Sequence, residues 1–203
     1  MKLTLIGNGI MAQSLARGLI KNHEIEIIGR DIDKLKNIQE KMPQIKIKVL
    51  EDHEDITGKN VVFCVKPYAL QSVSARLTGN ANLLLSILAG TKLETLRKQI
   101  KAKHYIRTMP NIAASVQNSM TTITGDNEAK IIAMEIFSSI GQAIWVNTEN
   151  QLDIATAIAG SGPAYLALIA EALADGAVKA GLERHISTQL VQGLFSGTAS
   201  LLK

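Results

Sequence analysis

Within its first twenty residues the chain commits to one kind of turn. Leu3-Thr-Leu-Ile6 is a short apolar run that reads as a buried strand, Gly7 and Gly9 break it, and Ile10 to Leu19 carries helical spacing. Gly7-Asn-Gly-Ile-Met-Ala12 has the form G-x-G-x-x-A. Gly7 allows a tight turn, Gly9 lets the backbone approach a pyrophosphate, and Ala12 lets the helix pack closely on the strand. The helix then offers unpaired N–H groups and the positive end of its dipole to phosphates. A glycine turn between strand and helix can also be purely structural. Here strand, turn and helix stand in the order a dinucleotide site requires, so the stretch is read as nucleotide binding.

The remainder suits a globular protein built on that beginning. The 203 residues allow one large domain or two smaller ones, and 46% hydrophobic against 20% charged residues supplies a sizeable core. Aromatic residues make up only 3%, which argues against nucleic-acid binding on stacking platforms. The net charge of +4 comes from scattered lysines, many beside acids, as in Lys34-Leu-Lys36 and Glu51-Asp-His-Glu-Asp55, and reads as solvated surface rather than a nucleic-acid patch. Cys64 is the single cysteine, so no intrachain disulfide forms and a reducing compartment is natural. No cluster of Cys, His and carboxylates has metal-ligand spacing, and no metal is expected. Met1-Lys2 leads straight into a strand without a targeting pattern. The longest uncharged stretch, Ile154 to Ala170, is interrupted by Gly160-Ser-Gly-Pro163 and falls short of the ~20 residues of a comfortable span, so a soluble, cytoplasmic protein is expected.

Along the chain, Glu24 to Ile28 reads as a second strand whose edge, Gly29-Arg30-Asp31, meets the adenosine ribose in such folds. An acid there favours a free 2′-hydroxyl and an arginine accommodates a 2′-phosphate. Arg30 comes first and Asp33-Lys-Leu-Lys36 follows, which leans to NADPH with NADH as the other possibility; Asp31 is read as the cap of the next helix. Further strands are expected over Gln44–Leu50, Asn60–Val65, Leu83–Leu88, His104–Arg107, Ser119–Thr124 and Gln142–Val146. Val65-Lys66-Pro67 should open a loop at the carboxyl edge, Thr91 should cap a helix to Ile100, and Asn127–Ser138 should be helical. Arg107-Thr-Met-Pro-Asn-Ile112 reads as a turn at the same edge. This alternation predicts a doubly wound, mostly parallel α/β sheet over residues 1–148. From 149 to 203 the chain reads as alanine-rich helix. Leu166, Ile169, Leu173 and Ala177 lie on one face, Glu171, Asp175 and Lys179 on another, and a second copy is the natural cover for the apolar face.

Four stretches together resemble the pyrroline-5-carboxylate reductases, which catalyse the last step of proline synthesis. They are Ile6-Gly-Asn-Gly-Ile-Met-Ala12, Val65-Lys-Pro67, Arg107-Thr-Met-Pro-Asn111, and Thr156-Ala-Ile-Ala-Gly-Ser-Gly-Pro-Ala-Tyr165 with Glu171-Ala-Leu-Ala-Asp-Gly-Ala177. Their order and spacing match across essentially the whole chain. The resemblance implies a Rossmann-type domain followed by an all-helical C-terminal dimerisation domain, a homodimer or an oligomer of dimers, and NAD(P)H as cofactor. It implies that Ile6, Gly7, Asn8, Gly9, Ile10 and Met11 hold the pyrophosphate with Ala12 behind them. Cys64, Val65, Lys66 and Pro67 with Ile87, Leu88 and Ala89 would line the nicotinamide side. Asn111 and Gly160, Ser161, Gly162 and Pro163 would border the substrate, 1-pyrroline-5-carboxylate. Two departures accompany it. Asp52 stands where relatives often carry an asparagine near the adenosine, and an acid fits poorly beside a 2′-phosphate. Relatives also continue past the position of Lys203 with a Ser-Pro-Gly-Gly-Thr-Thr segment that holds the substrate, so the helical region reads as incomplete beside them.

The chemistry expected is hydride delivery to the C=N carbon and a proton on nitrogen, with the protein orienting the two rings. No His/Asp or Lys/Asp pair stands near the motifs; His23, His53, His104 and His185 read as surface or packing residues and Trp145 as core. Ser161 and Thr156 are the polar candidates for catalytic substrate contact, Ser161 at a helix start where Pro163 suits the first turn. Lys66 reads equally as a surface residue or a cofactor neighbour. The competing readings are another small dehydrogenase or imine reductase of the same architecture, with Lys179 its only interior lysine candidate, and a cofactor-binding scaffold without turnover.

Overall fold

The apolar runs become neighbours in one eight-stranded sheet. In the computed structural model, which describes residues 1–202, its strands are β1 (Lys2–Ile6), β2 (Glu24–Gly29), β3 (Lys46–Val49), β4 (Asn60–Phe63), β5 (Ala81–Ser86), β6 (Ala102–Met109), β7 (Ser119–Gly125) and β8 (Gly141–Trp145). Across the sheet they stand in the order β8-β7-β6-β5-β4-β1-β2-β3. The six strands from β3 to β6 run parallel. β7 is antiparallel to β6, and β8 is parallel to β7. The chain winds outward from β1 in one direction through β2 and β3 and in the other through β4 to β6, which opens a crevice at the carboxyl ends of β1 and β4.

Both faces are covered, as the near-continuous apolar strands require. Helices α1 (Ile10–Leu19), α2 (Ile32–Lys41) and α5 (Lys130–Ser138) share one core with Leu3, Leu5, Ile27, Val62 and Leu85. Helices α3 (Leu70–Ser74) and α4 (Leu93–Gln99) share the other with Ile6, Ile28, Phe63 and Leu84. Trp145 packs partly buried against the first core, with the Lys130 ammonium 5.3 Å from its ring centre.

Two local expectations change. The segment after Val65-Lys66 is a 3₁₀ turn, Pro67–Ala69, running into α3 rather than an open loop. Lys66 is extended (φ −74°, ψ 147°), as a residue before proline must be, and Pro67 starts the turn where its missing N–H is not needed. Thr91 is not the cap of α4. Lys92 holds that position without a side-chain bond, and the N–H of Leu93 is taken at 2.9 Å by the Glu149 carboxylate.

After β8 a capping box, with Thr148 and Gln151 each bonding the other's backbone, starts α6 (Glu149–Ala155). A π-helical turn, Thr156–Gly160, continues it. The first compact unit runs from Met1 to Gly160, so α6 and the π turn group with the sheet by their contacts. The reason is Arg107 on β6, whose guanidinium binds two acids of α6 and holds that helix on the sheet. The second unit begins at Ser161 and consists of α7 (Gly162–Lys179) and α8 (Arg184–Leu201). At the expected interruption the π turn ends at Gly160 and α7 begins at Gly162. The helical run Glu149–Lys179 holds an 18-residue window of mean hydropathy 1.4 and is long and apolar enough to cross a membrane by length and composition.

Candidate active site

The turn after β1 shows why this sequence cannot be otherwise. Gly7 has φ +120°, and a Cβ on it would lie 2.8 Å from the Cys64 carbonyl oxygen. Its N–H donates to the Ile28 carbonyl and the Cys64 N–H donates to Ile6, so the ends of β1, β2 and β4 are tied together there. Gly9, extended at φ −76° and ψ −179°, precedes α1 and gives it no side-chain cap, and no acid stands in the first turn. The first N–H groups of α1 therefore have no partner within the helix. A Cβ on Gly9 would meet nothing within 4 Å. Open space in front of free helical N–H groups fits a pyrophosphate.

That space belongs to a cleft of about 530 Å³, the size of a small-molecule site. Ile6 through Met11, Arg30, Cys64 through Pro67, and Ile87, Leu88 and Ala89 all line it, so one cleft unites segments far apart in the chain. Ala12 does not line it; it is fully buried where α1 packs on the sheet. Lys34, from the lysine-bearing segment after Arg30, lines it too, as do Leu50, Tyr68 and Val73, which sequence reasoning did not single out as site residues. Tyr68 follows the Lys66-Pro67 signal directly, and its side chain is 86% exposed at the cleft.

At the β2 end the charges sort themselves. The Asp31 carboxylate accepts from the N–H groups of Asp33 and Lys34 and so caps α2, as expected. The bond from the Lys34 N–H, above all, holds its carboxyl below the usual range. Asp52 lies 3.1 Å from Nε of Arg76 and is not among the cleft residues. Arg30 and Lys34 both line the cleft, Lys34 with its ammonium 3.5 Å from the Asp31 carboxylate. At the β4 end, burial pushes the Cys64 thiol far up, so it remains protonated and is no nucleophile. None of the four histidines lines the cleft. His23 has both ring nitrogens buried without partners, and burial, with the chain's amino terminus, lowers its pKa.

A second cluster lies at the end of β6. Arg107, 1% exposed, donates at 2.7 Å to Glu149 and at 2.8 Å to Asp153, which stand one helical turn apart on α6. Lys92 donates to the other oxygen of Asp153 at 2.7 Å, and that bond is the main reason its carboxyl stays below the usual range. Asn111 is 7% exposed. Its amide donates to the Ala159 carbonyl at 2.8 Å, its side-chain oxygen accepts from the Ala113 N–H, and its own N–H donates to Ser119 Oγ. The Thr156 hydroxyl donates to the Leu152 carbonyl at 2.8 Å inside the helix, which commits its proton. Gly160 closes the π turn against Thr156 and Met109. Ser161, Gly162 and Pro163 open the second unit, with Pro163 in the first turn of α7 and Ser161 making no side-chain cap bond. The motif Arg107 to Asn111 marked this stretch, but no sequence pattern paired Arg107 with its acids, which lie more than forty residues away.

Residues 149–203 match the family model described as pyrroline-5-carboxylate reductase dimerisation, and residues 2–90 match the model described as NADP oxidoreductase, coenzyme F420-dependent. A pyrroline-5-carboxylate reductase of Synechocystis is 38% identical over 100% of this chain and 79% of its own length. One of Helicobacter pylori is 37% identical over 99% of this chain and 80% of its own. The crystal structure of 1-pyrroline-5-carboxylate reductase from Streptococcus pyogenes superposes with a TM-score of 0.84 at 28% identity, covering 100% of this chain and 79% of that one. That of pyrroline carboxylate reductase from Plasmodium falciparum, with NADP bound, gives 0.81 at 26% identity with the same coverage.

Proposed function

The chain belongs to the pyrroline-5-carboxylate reductase family, and from that premise we propose how its residues divide the work of an NAD(P)H-dependent reduction of 1-pyrroline-5-carboxylate to L-proline. The observation that carries the reading is the glycine cradle. The face of Gly9 opens on a cleft walled by every other segment the family resemblance named for the cofactor. The N–H groups at the start of α1 hold the pyrophosphate, and Cys64 to Pro67 with Ile87 to Ala89 flank the nicotinamide. Bound there, the cofactor supplies a hydride to the C=N carbon. The substrate nitrogen, protonated as an iminium, already draws hydride, so no strong side-chain acid is needed. Ser161 and the turn Gly160 to Pro163 receive the substrate carboxylate. Asn111 and Thr156, whose bonds hold the π turn, border the substrate with an amide N–H and a hydroxyl acceptor to spare.

The test is oxidation of NADPH followed with and without pyrroline-5-carboxylate. Imine-dependent oxidation with proline as product is the expected result. Cofactor binding with no imine-dependent turnover would overturn it in favour of a cofactor-binding scaffold.

Arg30 favours NADPH over NADH, because the acid beside it is engaged in capping α2 and in pairing with Lys34, and Asp52 is paired with Arg76. Arg30→Ala should raise KM for NADPH about ten-fold, the worth of one charge-assisted hydrogen bond, and leave KM for NADH within about two-fold. Equal change for both cofactors would remove Arg30 from the 2′-phosphate site.

The C-terminal region is a dimerisation region, and a homodimer is the assembly we assign. Leu166, Ile169, Leu173, Leu190 and Leu194 are exposed along α7 and α8, a face that a second copy covers. The same cover accounts for the apolar run Glu149–Lys179 without a bilayer. Glu171, Asp175 and Lys179 lie exposed on α7, and charges there are expensive in lipid, which supports a cytoplasmic protein.

A further inference from the structure

Ile87, Leu88 and Ala89 form the cleft wall that leaves the end of β5. The chain then runs through Lys92 into Leu93, the first residue of α4. An N–H at a helix start needs an acceptor, and no cap side chain provides one here. Glu149 does so from α6, and the oxygen that accepts from Leu93 at 2.9 Å also accepts from Arg107 at 2.7 Å. Asp153 repeats the arrangement one turn on, shared by Arg107 and by Lys92 of the same loop. At the far end of β6, Asn111 holds the carbonyl of Ala159 in the π turn. Two bonds thus tie the cleft-wall loop to α6, and three side-chain bonds tie α6 and its π turn to β6 and the chain just beyond it.

We infer that Glu149 is a positioning residue for hydride transfer. Its carboxylate, held by buried Arg107, sets the Leu93 N–H and with it the Ile87–Ala89 wall relative to the helical stem 149–160. The inference rests on the reductase reading of the cleft. Affinity for the cofactor resides mainly at the pyrophosphate and ribose end, which the node does not touch. Loosening the node therefore lowers turnover more than cofactor binding, since small errors in the placement of reacting groups weigh heavily on rate.

Three variants test this in the full chain: Glu149→Ala, Glu149→Gln and Leu93→Pro. Glutamine keeps an oxygen that can accept from both Leu93 and Arg107. Proline at Leu93 deletes the donated N–H without touching any acid, and both requirements for it are met. It stands first in the helix, and Lys92 before it is extended at φ −74° and ψ 152°. Glu149→Ala and Leu93→Pro should each lower kcat about ten-fold with the Kd for NADPH within about two-fold of the parent, and Glu149→Gln should keep at least about half of kcat. If Leu93→Pro, or a folded Glu149→Ala, turns over like the parent per folded site, the inference is overturned. It is overturned equally if Glu149→Gln loses as much as Glu149→Ala. A parent chain that binds NADPH but makes no proline would instead sink the reductase reading itself.

Discussion

Gly9→Glu should abolish NADPH binding while leaving the fold at least as stable as before. Nothing lies within 4 Å of a Cβ at this position, and φ −76° is open to any residue, so the new side chain enters the cleft without displacing protein atoms. A carboxylate at the start of α1 is favoured by the helix dipole, which α1 meets at present with no acid in its first turn. The same carboxylate takes the N–H groups and the space a pyrophosphate would use. Losing charge-assisted bonds worth about 1.5–3 kcal/mol each should weaken binding by more than about 100-fold. Calorimetric titration with NADPH and a thermal unfolding curve check both halves. A Kd within about five-fold of the parent would move the pyrophosphate elsewhere.

The second large effect is on stability. Arg107→Leu should destabilise the first unit by about 2–4 kcal/mol, because it leaves Glu149 and Asp153 one turn apart with no guanidinium between them. The upper range for a broken buried pair is not reached, since the two carboxylates remain 27% and 35% exposed and regain water. Arg107→Lys should recover only part, one ammonium being unable to serve two carboxylates as a planar fork does. The effect has a pH signature. Asp153 is held below its usual range, mainly by Lys92 and then by Arg107, so its contribution is present above the unfolded carboxylate value of about 3.9 and is lost as pH falls through the lower folded value. Chemical unfolding of parent and variant should therefore show a gap at neutral pH that narrows toward ~pH 3. A gap independent of pH would mean that Arg107 acts by packing alone.

Much of this was legible in the sequence, and the limits follow from the reach of the interactions. The turn Gly7 to Met11 could be read because strand, glycines and helix are adjacent, and each imposes a local constraint that only certain residues meet. Asp31 could be read as a cap because it acts two and three residues ahead. Thr91 was misjudged because the acceptor for the α4 start is Glu149, supplied from a different element. The short helix after Pro67 was missed because five residues carry too little periodicity to separate it from a loop. Asn111 and Thr156 carry the right chemistry for substrate contact, yet the backbone groups that engage them become neighbours only through the π turn.

Helices α7 and α8 bury only Ala174, Ser187 and Val191 among the described residues. So thin an interior does not offset the conformational freedom that thirty-odd ordered residues give up. In the homodimer proposed above, folding of this hairpin and meeting a second copy would be one equilibrium governed by mass action. Its stability is a property of concentration as much as of sequence, and dilution loosens it while the sheet unit, with its own two cores, stays whole.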